Sequence, residues 1–150
     1  MGTVRALALA IVWTAGCAAG APPAATLDTH NEACRFCRMV ISDQAFASQI
    51  VGLGEEPLFF DDPGCLRSFL DGAPKLAAGS VTYVADHRTK AWVRADAAVF
   101  VESVSATAPM GSHVLAYATP ASRDADPDAK GGKALTLDAV VGAHGLQGGK

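Results

Sequence analysis

Apolar residues in this chain fall in short runs separated by turn-forming clusters, the pattern of brief strands interrupted by one clear helix. Phe36 to Ile41 and Phe46 to Gly52 read as two short strands joined by Ser42-Asp43-Gln44, and Leu58-Phe59-Phe60 is a third run beyond the turn at Glu55-Glu56. Asp61 or Asp62 followed by Pro63 is a helix-start signal. Cys65, Leu66, Phe69 and Leu70 then share one helical face before Gly72 and Pro74 stop the helix. A similar order follows more faintly. Val81 to Val84, Ala91 to Val93, Phe100 to Val104 and Val114 to Ala118 are strand-like, with a bend at Met110-Gly111-Ser112-His113. Pro120 to Lys133 is charged and turn-rich, a surface loop or short helix, and Leu135 to Val141 closes the domain as a short helix begun by Thr136. Two strand-helix-strand units predict a small mixed α+β domain, a ββαβ-like duplication in topology, with no repeat at residue level.

The N-terminus departs from this pattern. One basic residue, Arg5, precedes the apolar run Ala6 to Trp13 and small residues ending at Cys17. That run is far short of the roughly 20 apolar residues a spanning helix needs, and its parts are those of a secretory signal. Thr14-Ala15-Gly16-Cys17 resembles a bacterial lipoprotein box, in which Cys17 becomes the lipid-bearing first residue. The expected organisation is a signal peptide at 1–16, a lipidated tether and flexible approach at 17–33, the folded domain at 34–141 and a flexible tail at 142–150. The protein is then exported and held by its acyl anchor at the periplasmic face of a bacterial membrane. The whole chain has a formal net charge of −3, and loss of Arg5 with the leader makes it −4. That balance lacks the basic patch a nucleic acid requires.

Composition also frames the chemistry. Setting Cys17 aside leaves Cys34, Cys37 and Cys65, an odd number in an exported chain, so at least one thiol stays unpaired. Cys34-Arg35-Phe36-Cys37-Arg38-Met39 and the distant Met110-Gly111-Ser112-His113 together supply thiols, thioethers and an imidazole. Thiolate and thioether donors select Cu(I), whereas zinc sites are built from Cys, His and carboxylate. Cys37 and Met39, two apart, would share one side of an extended segment, and a turn would bring Cys34 to the same place. The candidate metal ligands are therefore Cys37, Met39, Met110, His113 and Cys34. Arg35 and Arg38 are expected to favour thiolate beside them. Cys65 on the apolar helix face reads as a small hydrophobe, with ligation in reserve, and Asp61-Asp62 as a helix cap.

Two other classes compete. A CxxC pair by itself suits an exported thiol-disulfide oxidoreductase as well as a ligand pair, and a passive zinc or metal-storage module would use the same thiols. Against the redox enzyme, Cys34 and Cys37 are not placed at a helix start after a strand. No Ser-His-Asp signature, phosphate loop or HExxH motif is present, so no enzymatic activity is expected.

At these residues the chain resembles the NosL family, copper chaperone lipoproteins that accompany assembly of nitrous oxide reductase. The resemblance rests on Thr14 to Cys17, Cys34 to Met39, Phe59-Phe60-Asp61-Asp62-Pro63-Gly64-Cys65, and Pro109 to His113 leading into Val114-Leu115-Ala116-Tyr117. It implies an exported, membrane-anchored protein that binds one Cu(I) and passes it to an apo-cuproenzyme, nitrous oxide reductase or another, or to its assembly machinery. It also implies two small α+β units related in topology. Members often carry Gly between the Cys and Met of the first motif, where this chain has Arg38.

Overall fold

Ser48–Val51 (β1) has all four residues buried, which a strand achieves only when both of its faces are covered. In the computed structural model, which describes residues 20–142, β1 lies inside a four-stranded antiparallel sheet of order β2-β1-β3-β4. Its partners are β2 (Leu58–Phe60) and β3 (Val81–Ala85), and β4 (Trp92–Arg94) forms one edge. Strand alternation sends Ser48 and Ile50 to one face and Gln49 and Val51 to the other. Ile50 joins Phe60, Val84 and Leu66 in the main core. Val51 packs with Val81, Tyr83 and Ala24 on the opposite face.

That second face is covered by the N-terminal segment. The Tyr83 hydroxyl donates to the Pro22 carbonyl at 2.6 Å, the Ala25 N–H donates to Gln49 Oε1 at 2.8 Å, and Gln49 Nε2 donates back to the Ala25 carbonyl at 3.1 Å. Leu27 reaches the core. Packing thus begins at Pro22, ahead of the start at Cys34 expected from sequence, because Gln49 is a buried polar side chain that needs partners for its amide. Cys17 and the leader lie outside the described residues, as does the tail beyond residue 142. Among the described residues no helix is long and apolar enough to cross a membrane.

The helix α1 (Pro63–Asp71) forms where the sequence pattern places it. Asp62 is its N-cap, Pro63 occupies the first turn, where its missing N–H costs nothing, and Gly72 is the C-cap. Cys65, Leu66 and Leu70 are its buried face. The same core cluster receives Phe100 and Ala116 from a second sheet, and Val140 and Val141 from α3 (Leu137–Val141). That sheet has the order β6-β5-β7, with β5 (Val99–Glu102), β6 (Val114–Tyr117) and β7 (Lys133–Leu135) all antiparallel. Between β6 and β7 runs a five-residue helix, α2 (Pro120–Asp124). The result is the expected small α+β domain of two sheets, each with a helix nearby.

Asp86 joins the two halves. It is fully buried in the turn after β3 and accepts from the N–H groups of Arg88 (3.1 Å) and Thr89 (2.9 Å) in its own turn. From the other half it accepts the Ala118 N–H at 2.7 Å and the Ser122 hydroxyl at 3.1 Å. The His87 N–H, next in sequence, donates to the Ala116 carbonyl at 2.8 Å.

Two local expectations change. Phe36 to Ile41 is not a strand: the Cys34 N–H donates to the Met39 carbonyl at 2.8 Å and the Arg38 N–H to the Cys34 carbonyl at 3.0 Å, which closes a compact turn. Only Ala33 and Val40 pair as an isolated bridge. Arg38 makes this turn by adopting φ 68°, a region that costs a residue with a side chain about 1–2 kcal/mol. The position where family resemblance leads one to expect glycine thus has the backbone that glycine favours. The other change is β7, whose three residues, two of them exposed, carry no alternation to mark them as a strand.

Candidate metal centre

Two elements deliver the three sulfurs. The turn after Ala33 presents Cys34, wholly buried, and Cys37, half-buried, while the first turn of α1 presents Cys65, 3% exposed. The Arg35 N–H donates to the Phe59 carbonyl at 2.7 Å, which pins the turn beside the end of β2, one step before the helix begins. The Sγ atoms of Cys34, Cys37 and Cys65 all lie within 4.8 Å of one another, and none is in a disulfide. With metal–thiolate bonds of about 2.3 Å, the zinc–sulfur figure, three sulfurs around one ion stand about 4.0 Å apart. A contraction of less than an ångström or so would close the trio on a metal.

The thiols are unequal. Burial pushes the Cys34 thiol up, but the N–H groups of Cys37, Asp61 and Phe36 aimed at its sulfur outweigh burial and leave it below the usual thiol range. For Cys37 burial dominates and raises the thiol, helped by charge on Cys34 and opposed by the Met39 N–H. Burial, then the Cys34 charge, raises Cys65 furthest. Cys34 thus gives up its proton more readily than Cys37 or Cys65, and a metal ion bound by all three would displace the remaining protons. The expected help from Arg35 and Arg38 is replaced by backbone N–H groups, because both guanidinium-bearing residues are exposed to water.

Met39 is 56% exposed and Met110 46% exposed, so both thioethers stand at the surface and neither fills the core. With the turn closed, Cys37 and Met39 do not share one side of an extended strand. Met110 is held near α1 by Asp62, which is wholly buried. One carboxylate oxygen accepts the Cys65 N–H at 3.0 Å, and the other accepts the Met110 N–H at 3.1 Å and the Ser112 N–H at 3.4 Å. The fit is close: a Cβ added at Gly64 would meet the Ser112 Cβ at 2.8 Å. His113 takes φ 56° and sets its Nδ1 3.0 Å from the Ala106 carbonyl. A carbonyl can only accept, so Nδ1 carries a proton, and Nε2 is the ring atom left to ligate in the neutral imidazole.

Asp62 therefore serves both the helix and the loop that brings Met110. Asp62→Ala is expected to destabilise the fold by about 2–4 kcal/mol, a lost cap plus orphaned N–H groups, read as a lower urea midpoint with unchanged slope. Asp61, capping nothing, is buried with an unpartnered Oδ1, and burial followed by the Asp62 charge raises its carboxyl.

Sequence reasoning placed Cys34 and Cys37 together and left Cys65 to the core. The signal available was the odd cysteine count combined with the position of Cys65 three residues after its N-cap, on the turn that starts where β2 ends. Among the described residues this trio is the one group of His, Cys, Asp and Glu side chains gathered tightly enough to hold a metal.

An α+β domain with three converging cysteines defines a candidate soft-metal binding protein. The family model described as NosL matches residues 25–143, and the chain belongs to that family. No curated protein and no solved structure matches the chain.

Proposed function

We propose that the protein is an exported Cu(I)-binding lipoprotein, anchored through Cys17, that acts as a copper chaperone for a periplasmic cuproenzyme. Nitrous oxide reductase is the client that NosL membership favours. The observation that carries this reading is the approach of the Cys34, Cys37 and Cys65 sulfurs to within 4.8 Å of one another in a NosL domain. Three thiols supply fewer protein donors than the four of a structural zinc site. Three soft donors with thioethers at the rim match Cu(I). Cys34, Cys37 and Cys65 form the inner set. Met39, Met110 and His113 stand as the outer donors through which an ion would enter or leave by ligand exchange.

Mature protein is expected to bind about one equivalent of Cu(I). The double variant Cys37→Ser, Met39→Leu should lose that binding in competition with a chromogenic chelator, and unchanged affinity would remove the reading. X-ray absorption on the loaded protein tests the His113 contribution: sulfur neighbours alone leave His113 out of the ligand set, and an added imidazole brings it in. The redox alternative predicts disulfide reductase activity that survives loss of Met39 and Met110. A storage module would hold Zn(II) better than Cu(I).

A further inference from the structure

The turn that carries Cys34 and Cys37 exposes more apolar surface than holding two thiols requires. Phe36 (49%), Met39, Val40 (53%) and Met110 are four of the six large hydrophobic side chains left exposed among the described residues. Single exposed apolar residues need no account, whereas several close to one cluster of thiols do. Three of them flank the half-buried Cys37 on its own turn, and the fourth belongs to the loop that Asp62 ties to Cys65. Among them stands Arg38, exposed and in the left-handed backbone region. It makes no ion pair or side-chain hydrogen bond among the described residues. Arg35 instead lines the groove it shares with Glu55, Glu56 and Lys75, so Arg38 is the charge that belongs to the apolar face.

Resting on the Cu(I) reading above, we infer that this face docks the protein that exchanges metal with the cluster, and that the partner presents an apolar patch edged by carboxylates. The chain as a whole is acidic, but screening acts over about 8 Å at physiological ionic strength, so in contact a local cation outweighs distant net charge. A second copy of this chain is a poor occupant, because a two-fold contact sets Arg38 against its own counterpart. An anionic bilayer is also disfavoured: recognition of lipid uses clusters of about 4–8 basic residues, and lipid lying here would cover the half-buried Cys37. Transfer is ligand exchange without change of oxidation state. A bond from an acceptor thioether or imidazole to the ion forms as a thiolate bond breaks, and the released sulfur takes a proton from water.

The test follows stopped-flow transfer from the Cu(I)-loaded full chain to two synthetic peptides with one Met-His core, flanked by Asp or by Lys. At low salt the Asp peptide is expected to receive copper several-fold faster, with the difference closing at high salt. Arg38→Glu should lower the Asp-peptide rate about tenfold and raise the Lys-peptide rate. Arg38→Gly removes the charge and relieves the backbone, so its melting temperature should rise while Asp-peptide transfer falls; a purely structural role would move both together. Both variants are expected to keep wild-type Cu(I) affinity, and an affinity change equal to the rate change overturns the inference. Transfer indifferent to peptide charge overturns it too and leaves the Cu(I) reading standing, whereas a chain that never loads overturns that reading and this one with it. Phosphatidylglycerol vesicle binding lost in Arg38→Glu, with peptide transfer unchanged, assigns the face to lipid and also overturns the proposal.

Discussion

Replacing Cys65 with alanine is expected to weaken Cu(I) binding by at least about a hundredfold, beyond the roughly 10–100-fold that loss of an outer-shell partner costs a metal site. The fold should lose only about 1 kcal/mol, since the change removes one sulfur atom from the core and leaves the Asp62 cap in place. The two readouts separate the roles open to this residue. A packing cysteine would lower the melting temperature and leave the chelator titration untouched. A ligand would do the reverse, and X-ray absorption would count one sulfur fewer. Unchanged affinity would show that Cys34 and Cys37 hold the metal without help from the helix.

The largest loss of stability is expected at Asp86. Asp86→Ala leaves the N–H groups of Ala118 and Thr89 and the Ser122 hydroxyl without their acceptor inside the protein, a cost of about 3–5 kcal/mol for one partner taken out of a buried charged network. The sign of its pH dependence follows from the carboxyl itself. Burial would raise it, but the Ala118 and Thr89 N–H groups and the Ser122 hydroxyl outweigh burial and hold it below the usual carboxylate range. A depressed carboxyl contributes its full stability above its unfolded pKa of about 3.9 and loses it as pH falls through the folded value. The gap between wild type and variant in urea melts should therefore be constant near neutrality and shrink below about pH 4. A gap that widens in acid would rule out the carboxylate as the stabilising form.

Much of the architecture is legible in the chain because short-range rules govern it. Asp62-Pro63 and the spacing of Cys65, Leu66, Phe69 and Leu70 mark α1, and alternation with turn residues marks β1 to β6. The apolar residues of Phe36 to Ile41 suit an extended segment and so predict a strand where the chain makes a turn. What bends it is a pair of backbone hydrogen bonds and a positive φ at an arginine, a residue that gives no notice of that conformation. Cys65 illustrates a different limit. Its burial follows from helical periodicity, but its approach to Cys34 depends on the Arg35 N–H meeting the Phe59 carbonyl, a contact between segments that no local pattern encodes. Asp86 and Gln49 are similar: each is a polar residue whose purpose appears only when the segments it joins are in place.

The strap of Pro22 to Leu27 across the first sheet has a consequence for reach. With Cys17 as the acylated residue, only five peptide steps separate the lipid from the carbonyl held by Tyr83, and a fully extended chain covers at most about 18 Å in that distance. The domain is then on a short leash, riding within roughly its own radius of the bilayer. If the protein is anchored and carries copper as proposed, an enzyme that collects the metal from it has to come down to the membrane surface to do so.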